Sequence, residues 1–357
     1  MKRAILLWCT GMVFMQSCLE EFPYESTLKS ESFVVNGGVN NLHEDQVIHL
    51  SQTIAYGVPP NPITGADVSV IENDKKVYQF KEGILGEYVL NKDDYEPKIG
   101  ASYALRISLQ DQTYMSDAEI MMPPVAPDSL SWNVGSETVL SSTGIPRVVD
   151  KVYLQVHTPL PNGDKNLYLK WDVQTAFQFT TEPGCGPFKT TYTCYFGKGL
   201  HPSELMIYTN ADNGLHYLTK KQIGSELIDP DYRFVETHYY SVYQRRISSN
   251  AYEYYQKLRL VSEQNGTIFD PIPATVLGNV HNKNDLNAPV LGYFLVSSVS
   301  ILRQKIVSAD FFGKYPLLSK TYNYCGWING GTAGPYFSAC CSCYDIPEPV
   351  IQKPDWW

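Results

Sequence analysis

Charge is scarce in this chain. Only 18% of its 357 residues are Asp, Glu, Lys or Arg, and 37 acidic side chains outnumber 28 basic ones, for a formal charge of −9. A surface that acidic has no electrostatic reason to wrap a phosphate backbone, so nucleic acid is excluded as a partner class. Beyond the first twenty residues, no apolar run approaches the roughly 18–20 residues that a membrane-spanning helix needs. Catalytic signatures are missing as well: there is no Gly-x-Ser-x-Gly elbow, no His-Glu-x-x-His pair and no phosphate loop. The glycine-rich stretch Gly330–Gly334 lacks the lysine of a phosphate cradle and reads as a loop. Histidines number seven, and the closest pair, His43 and His49, has no third ligand beside it. Neither an enzyme nor a metal site is expected.

The first residues supply an address. Lys2 and Arg3 precede an apolar stretch from Ala4 to Met15, and Met15-Gln16-Ser17-Cys18 comes next. Residues 1–17 therefore read as an export signal. A small residue directly before a cysteine resembles the bacterial lipoprotein cleavage box, which makes Cys18 the lipid-bearing first residue of the mature chain. Glu20 and Glu21 then look like a surface-export signal. Removing Lys2 and Arg3 leaves 26 basic against 37 acidic residues, or −11. Residues 18–30 form a polar tether, and acyl chains on Cys18 would hold the protein at the membrane without crossing it.

Cysteine is the next resource. The mature chain keeps Cys185, Cys194, Cys325, Cys340, Cys341 and Cys343. In an exported chain six cysteines fit three disulfides, with 15 possible pairings. Cys185 and Cys194 flank a short stretch and are expected to close one loop. Cys325 is expected to pair within the Cys340-Cys341-Ser342-Cys343 group. A four-thiolate zinc site there is the alternative, but only Cys340 and Cys343 have knuckle spacing.

Alternation with a period of two dominates the chain beyond the tether. Ala66, Val68 and Val70 alternate with polar neighbours before a turn at Asn73-Asp74. Tyr103, Leu105, Ile107 and Leu109 repeat the pattern ahead of a strand near Tyr114. Residues 31–124 thus read as an N-terminal β-sandwich of immunoglobulin or prealbumin type. Prolines at 123, 124 and 127 break pairing and mark a joint. Residues 128–357 read as a larger antiparallel β domain with one or two helices and a disulfide-stapled end. In it, Val152, Leu154 and Val156 are expected to form a hairpin with Leu167, Leu169, Trp171 and Val173 through the Pro161-Asn162-Gly163-Asp164 turn. A strand pair is expected across Tyr232 to Ile247. One helix is expected, capped by Asn250, with Ala251, Tyr254, Tyr255, Leu258 and Val261 on one face and Gly266 at its end.

Several landmarks occur in a familiar order. They include Ser32-Phe33-Val34-Val35-Asn36-Gly37, Gly65-Ala66-Asp67-Val68-Ser69-Val70, Pro127-Asp128-Ser129-Leu130, Gly266 to Pro273, Leu291-Gly292-Tyr293-Phe294 and the closing Lys353-Pro354-Asp355-Trp356. Together they resemble the Bacteroidota lipoprotein family known as domain of unknown function 4249. The resemblance implies an outer-membrane lipoprotein encoded beside a TonB-dependent receptor, and supplies no catalytic or ligand residues. With the missing catalytic set, this points to a non-enzymatic surface lipoprotein accessory to such a receptor in substrate capture or uptake. The alternative is a glycan-binding or adhesin-like lipoprotein without a transporter partner. Contact residues are expected in the aromatic loop with Trp327, Tyr336 and Phe337, or among Tyr239, Tyr240 and Tyr243, where rings can stack on a ligand. No cofactor is expected; calcium at the oxygen-rich turns Asn210–Gly214 or Asp229–Asp231 is the one candidate ion.

Overall fold

In the computed structural model, the described residues are 32–53, 59–141, 143–162, 166–180, 193–200, 205–211, 215–228, 231–234, 236–262, 275–307, 343 and 353–357. The protein is mainly β. Its first half supplies β1 (Phe33–Asn40), β2 (Gln46–Gln52), β3 (Asn61–Pro62), β4 (Asp67–Glu72), β5 (Lys76–Gln79), β6 (Lys81–Glu82), β7 (Glu87–Leu90), β8 (Ser102–Leu109), β9 (Gln112–Ser116) and β10 (Glu119–Ile120). The rest supplies β11 (Ser129–Leu140), β12 (Pro146–Pro159), β13 (Tyr168–Thr180), β14 (Thr193–Leu200), β15 (Ile207–Thr209), β16 (Tyr217–Leu227), β17 (His238–Arg246), α1 (Ser249–Ser262), β18 (Val280–Asn282) and β19 (Val290–Ile306).

Three open sheets result. The longest runs β14-β13-β17-β19-β1-β2-β7-β6, with β15 on β13 and β3 on β2. A six-stranded sheet, β18-β9-β8-β4-β5 with β10 on β8, covers one end of it, and the three-stranded sheet β11-β12-β16 covers the other. Alternation decides which face each residue takes. Val35, Ile48, Leu50 and Tyr88 of the long sheet meet Val68, Val70, Leu105 and Ile107 in the first core, all buried. Leu169, Trp171, Val173, Tyr240 and Val242 meet Val152, Leu154, Val156 and Ile223 in the second. Each fully buried aliphatic side chain contributes at most about 1.5–3 kcal/mol.

The 17-residue β19 joins the two cores. Its first eight residues pair in parallel with β1, from Phe33↔Val290 to Asn40↔Ser297. The remainder, Ser298 to Ile306, pairs antiparallel with β17. Val290, Phe294 and Val296 thereby enter the first core, far from residues 31–124 in sequence, and Val280 of β18 joins them through the pairing of β18 with β9. Close approach is built into this pairing. Gly292 has φ +83°, and a Cβ placed on it would lie 1.8 Å from the Val35 carbonyl oxygen. Glycine alone fits there.

The alternating segments lie where the pattern puts them, but two partnerships differ from expectation. β12 and β13 do not form a hairpin: β12 pairs with β11 and β16, while β13 pairs with β14, β15 and β17. The two strands face one another across the second core. Alternation reports which side of a strand is buried, and a facing strand buries that side as well as a neighbour does. The stretch from Tyr232 to Ile247 is likewise one strand preceded by a 3-10 turn at Asp231–Phe234. The helix cap also shifts by two residues: Ser248 Oγ accepts the Ala251 amide at 3.1 Å, taking the capping role expected of Asn250. Gly266 lies outside the described residues.

Candidate functional site

The outer face of the long sheet, opposite the cores, carries a well-formed opening. Period-two alternation brings Lys170 and Asp172 of β13, Arg245 of β17, Ser297 of β19 and Asn36 and Asn40 of β1 onto this face. Helix α1 lies across it. Its Ala251 packs with Ile247 and Tyr293, and Tyr254 and Tyr255 pack around them. Between helix and sheet lies a cleft of about 650 Å³, with Tyr254, Tyr255 and Leu258 on the helix side and Glu44 and Asp45 at one margin. That volume suits a small molecule.

Asp172 organises the floor. Lys170 Nζ contacts its Oδ1, and Arg245 Nε donates to Oδ2 at 2.7 Å. Burial pushes the Asp172 carboxyl up, but the two adjacent cations win and hold it below the usual carboxylate range. Arg245 Nη1 also reaches Ser297 Oγ at 3.4 Å. The Lys170 ammonium lies 5.3 Å from the centre of the Tyr255 ring, within cation–π range. Two cations against one carboxylate leave the floor one positive charge in excess.

Behind the cleft, Tyr293 and Ser248 both donate to Glu119 Oε1, the latter at 2.8 Å. This buried carboxyl ties β10, the helix cap and β19 together. Its other oxygen, Oε2, is buried without a hydrogen-bond partner. Burial raises the Glu119 pKa above its usual value despite the two hydroxyl donors.

A second polar cluster lies inside the second core. Thr175 Oγ1 is 2.6 Å from His238 Nε2, and Glu226 Oε2 is 3.3 Å from the same nitrogen. Glu226 also meets Arg233 and accepts from Tyr240 at 2.8 Å. The residues are those of a hydroxyl–imidazole–carboxylate relay, but the placement is not. Such a relay needs hydroxyl and carboxylate on opposite ring nitrogens; here both sit at Nε2, and Nδ1 lies 3.1 Å from the Arg233 carbonyl. His238 is 0% and Thr175 1% exposed, so no substrate reaches them. The cluster satisfies buried polar groups.

Of the cysteines, Cys194 on β14 is bonded to Cys343, 149 residues away, and not to Cys185. Flanking a short loop brings two cysteines near in sequence, but Cys194 is fully buried and has Cys343 beside it. Cys18, Glu20, Glu21, Cys185, Cys325, Cys340, Cys341, Trp327, Tyr336 and Phe337 lie outside the described residues. The tyrosine trio is split by alternation, with Tyr240 fully buried and Tyr239 and Tyr243 on the outer face. Tyr239 there meets the closing Trp356 and Trp357 at ring-centre distances of 5.6 and 4.7 Å. Among the described residues no three His, Cys, Asp or Glu side chains gather to hold a metal. Asn210, from one candidate calcium turn, accepts the Leu167 amide at 3.1 Å. The charged floor is not among the sites that the sequence suggests, although a faint signal is there: Lys170 and Asp172, the two charged residues of β13, stand at alternate positions and so share one face.

A family model for a domain of unknown function (DUF4249) matches residues 20–303. No curated protein matches the chain. The chain belongs to the DUF4249 family.

Proposed function

We propose that this protein is a non-enzymatic, lipid-anchored lipoprotein of the outer membrane, facing outward, that captures a small ligand in the cleft and works with a TonB-dependent receptor. The cleft carries this reading. The charged side chains of its floor are committed to one another as Lys170–Asp172–Arg245, which suits a fixed binding floor better than a nucleophile and its base. Membership of the family and the residues around Cys18 support the address. A tether of residues 18–30 would reach roughly 45 Å when extended, and anchoring beside a receptor raises the effective concentration of captured ligand at its mouth. The second reading, a glycan-binding lipoprotein without a transporter, draws on the tyrosine rings and the Asn36 amide along the cleft.

The address is tested by labelling cells with palmitate and treating them with an external protease. The wild type is expected to take up label and be cut. Cys18→Ala is expected to lose the label, and Glu20→Ala with Glu21→Ala to keep the label but escape the protease. A wild-type chain that takes up no label contradicts the reading.

A further inference from the structure

The chemistry of the cleft narrows what it takes. Arg245 spends Nε on Asp172, and Nη1 has only the 3.4 Å contact with Ser297. Among the described residues Nη2 has no acceptor, so the end of the guanidinium fork is left for a ligand. Lys170, 9% exposed, is a cation held at the floor of the cleft by Asp172. Tyr254, Tyr255 and Asn36 also line the cleft, and the hydroxyls of the two tyrosines and the carboxamide of Asn36 have no hydrogen-bond partner among the described residues. Burial raises both tyrosines above the usual phenol range, so they stay protonated and can donate. Donors therefore cluster around one excess positive charge.

At the margin the sign reverses. Asn40 Nδ2 donates to Glu44 Oε1 at 3.1 Å, and Asp45 accepts the Lys92 amide at 2.8 Å. These carboxylates suit ligand hydroxyls as acceptors and repel a second negative charge. A doubly charged phosphate is disfavoured by them, and more so by a chain whose formal charge is −9. A planar carboxylate fits the guanidinium fork and needs only one compensating charge. Ring faces from Tyr254 and Tyr255 offer a wall for a flat or chair-like body.

Resting on the cleft as the binding site, we propose that its ligand is an acidic monosaccharide unit: one carboxylate on a hydroxylated ring, the carboxylate against Arg245 and Lys170 and the hydroxyls toward Asn36 and the Glu44 margin.

The test is isothermal titration of the whole mature chain with glucuronate, glucose and glucose 6-phosphate, with Arg245→Gln and Lys170→Gln as variants and circular dichroism melts to show that each is folded. Glucuronate is expected to bind at least about tenfold tighter than glucose or the phosphate ester, and each substitution to remove most of that advantage. Two variants are used so that one failing to fold leaves the other. Glucose binding as tightly as glucuronate, with both lost on Tyr254→Ala, would overturn the carboxylate inference and leave the cleft reading standing. A preference for glucose 6-phosphate overturns the single-charge argument. Glucuronate binding that survives both charge substitutions places it elsewhere and overturns the proposal, as does the absence of any glucuronate binding. The receptor partnership is judged by separate recovery of a receptor, so its failure is distinguishable from any of these.

Discussion

At the residue scale, two buried carboxylates behave oppositely. Glu226 is ionised inside the second core because His238, Arg233 and Tyr240 outweigh its burial and lower its pKa. A depressed carboxylate contributes stability that is present above its unfolded value, near 4.5, and lost as pH falls through the folded one. Glu226→Gln strips Arg233 of its carboxylate and is expected to cost about 3–5 kcal/mol in urea denaturation, with Glu226→Gln plus Arg233→Met costing less than the two single changes together. Glu119 runs the other way. Its raised pKa means that folding takes up a proton, so its contribution declines as pH rises above about 4.5. Glu119→Gln keeps an acceptor for Tyr293 and Ser248 without the buried charge, and is expected to unfold at the same or a higher temperature than wild type at pH 7. Glu119→Ala leaves both hydroxyls unmatched and is expected to cost about 1–3 kcal/mol. A melt in which Gln is as damaging as Ala would contradict the raised pKa. Neither role is legible in the sequence, since a Glu in a strand looks the same whether its partner lies beside it or, like Tyr293, 174 residues away.

At the element scale, β19 decides the architecture. Its apolar run from Leu291 to Ile301 is readable as a strand, but two different partners along one strand leave no mark on its own pattern. Gly292 stands out in the sequence only as part of a family landmark, and its physical reason is the Val35 carbonyl across the parallel pair. Gly292→Ala puts a Cβ into that carbonyl and a side chain at positive φ. It is expected to cost more than about 3 kcal/mol, measured by urea titration, whereas Gly65→Ala, at φ +73° with open space around it, is expected to cost about 1 kcal/mol. Equal costs would mean that the β1–β19 contact is not tight. The helix, by contrast, is legible because its apolar residues recur at 3.6-residue spacing. Its cap moves from Asn250 to Ser248, as helix ends commonly do.

At the scale of the whole molecule, the prolines at 123, 124 and 127 fall in the irregular stretch between β10 and β11, but the chain crosses back past it. Val280, Val290, Phe294 and Val296 complete the first core, and β1 would otherwise present an unpaired edge along Phe33–Asn40. A fragment of residues 31–124 alone is therefore expected to lack a cooperative unfolding transition and to aggregate, read by circular dichroism and light scattering; a sharp transition would contradict the shared strand. The cleft inherits this design. It is walled by β1 and β19 from the two ends of the chain, by β13 and β17 from its middle, and by α1, so no local motif could announce it. The measurement that bears most directly on the proposed role is affinity recovery of the tagged, lipidated protein from native outer membranes, with mass spectrometry of the proteins recovered. The account predicts one TonB-dependent receptor in near-stoichiometric amount. An intact, surface-exposed lipoprotein that brings down no receptor would contradict it.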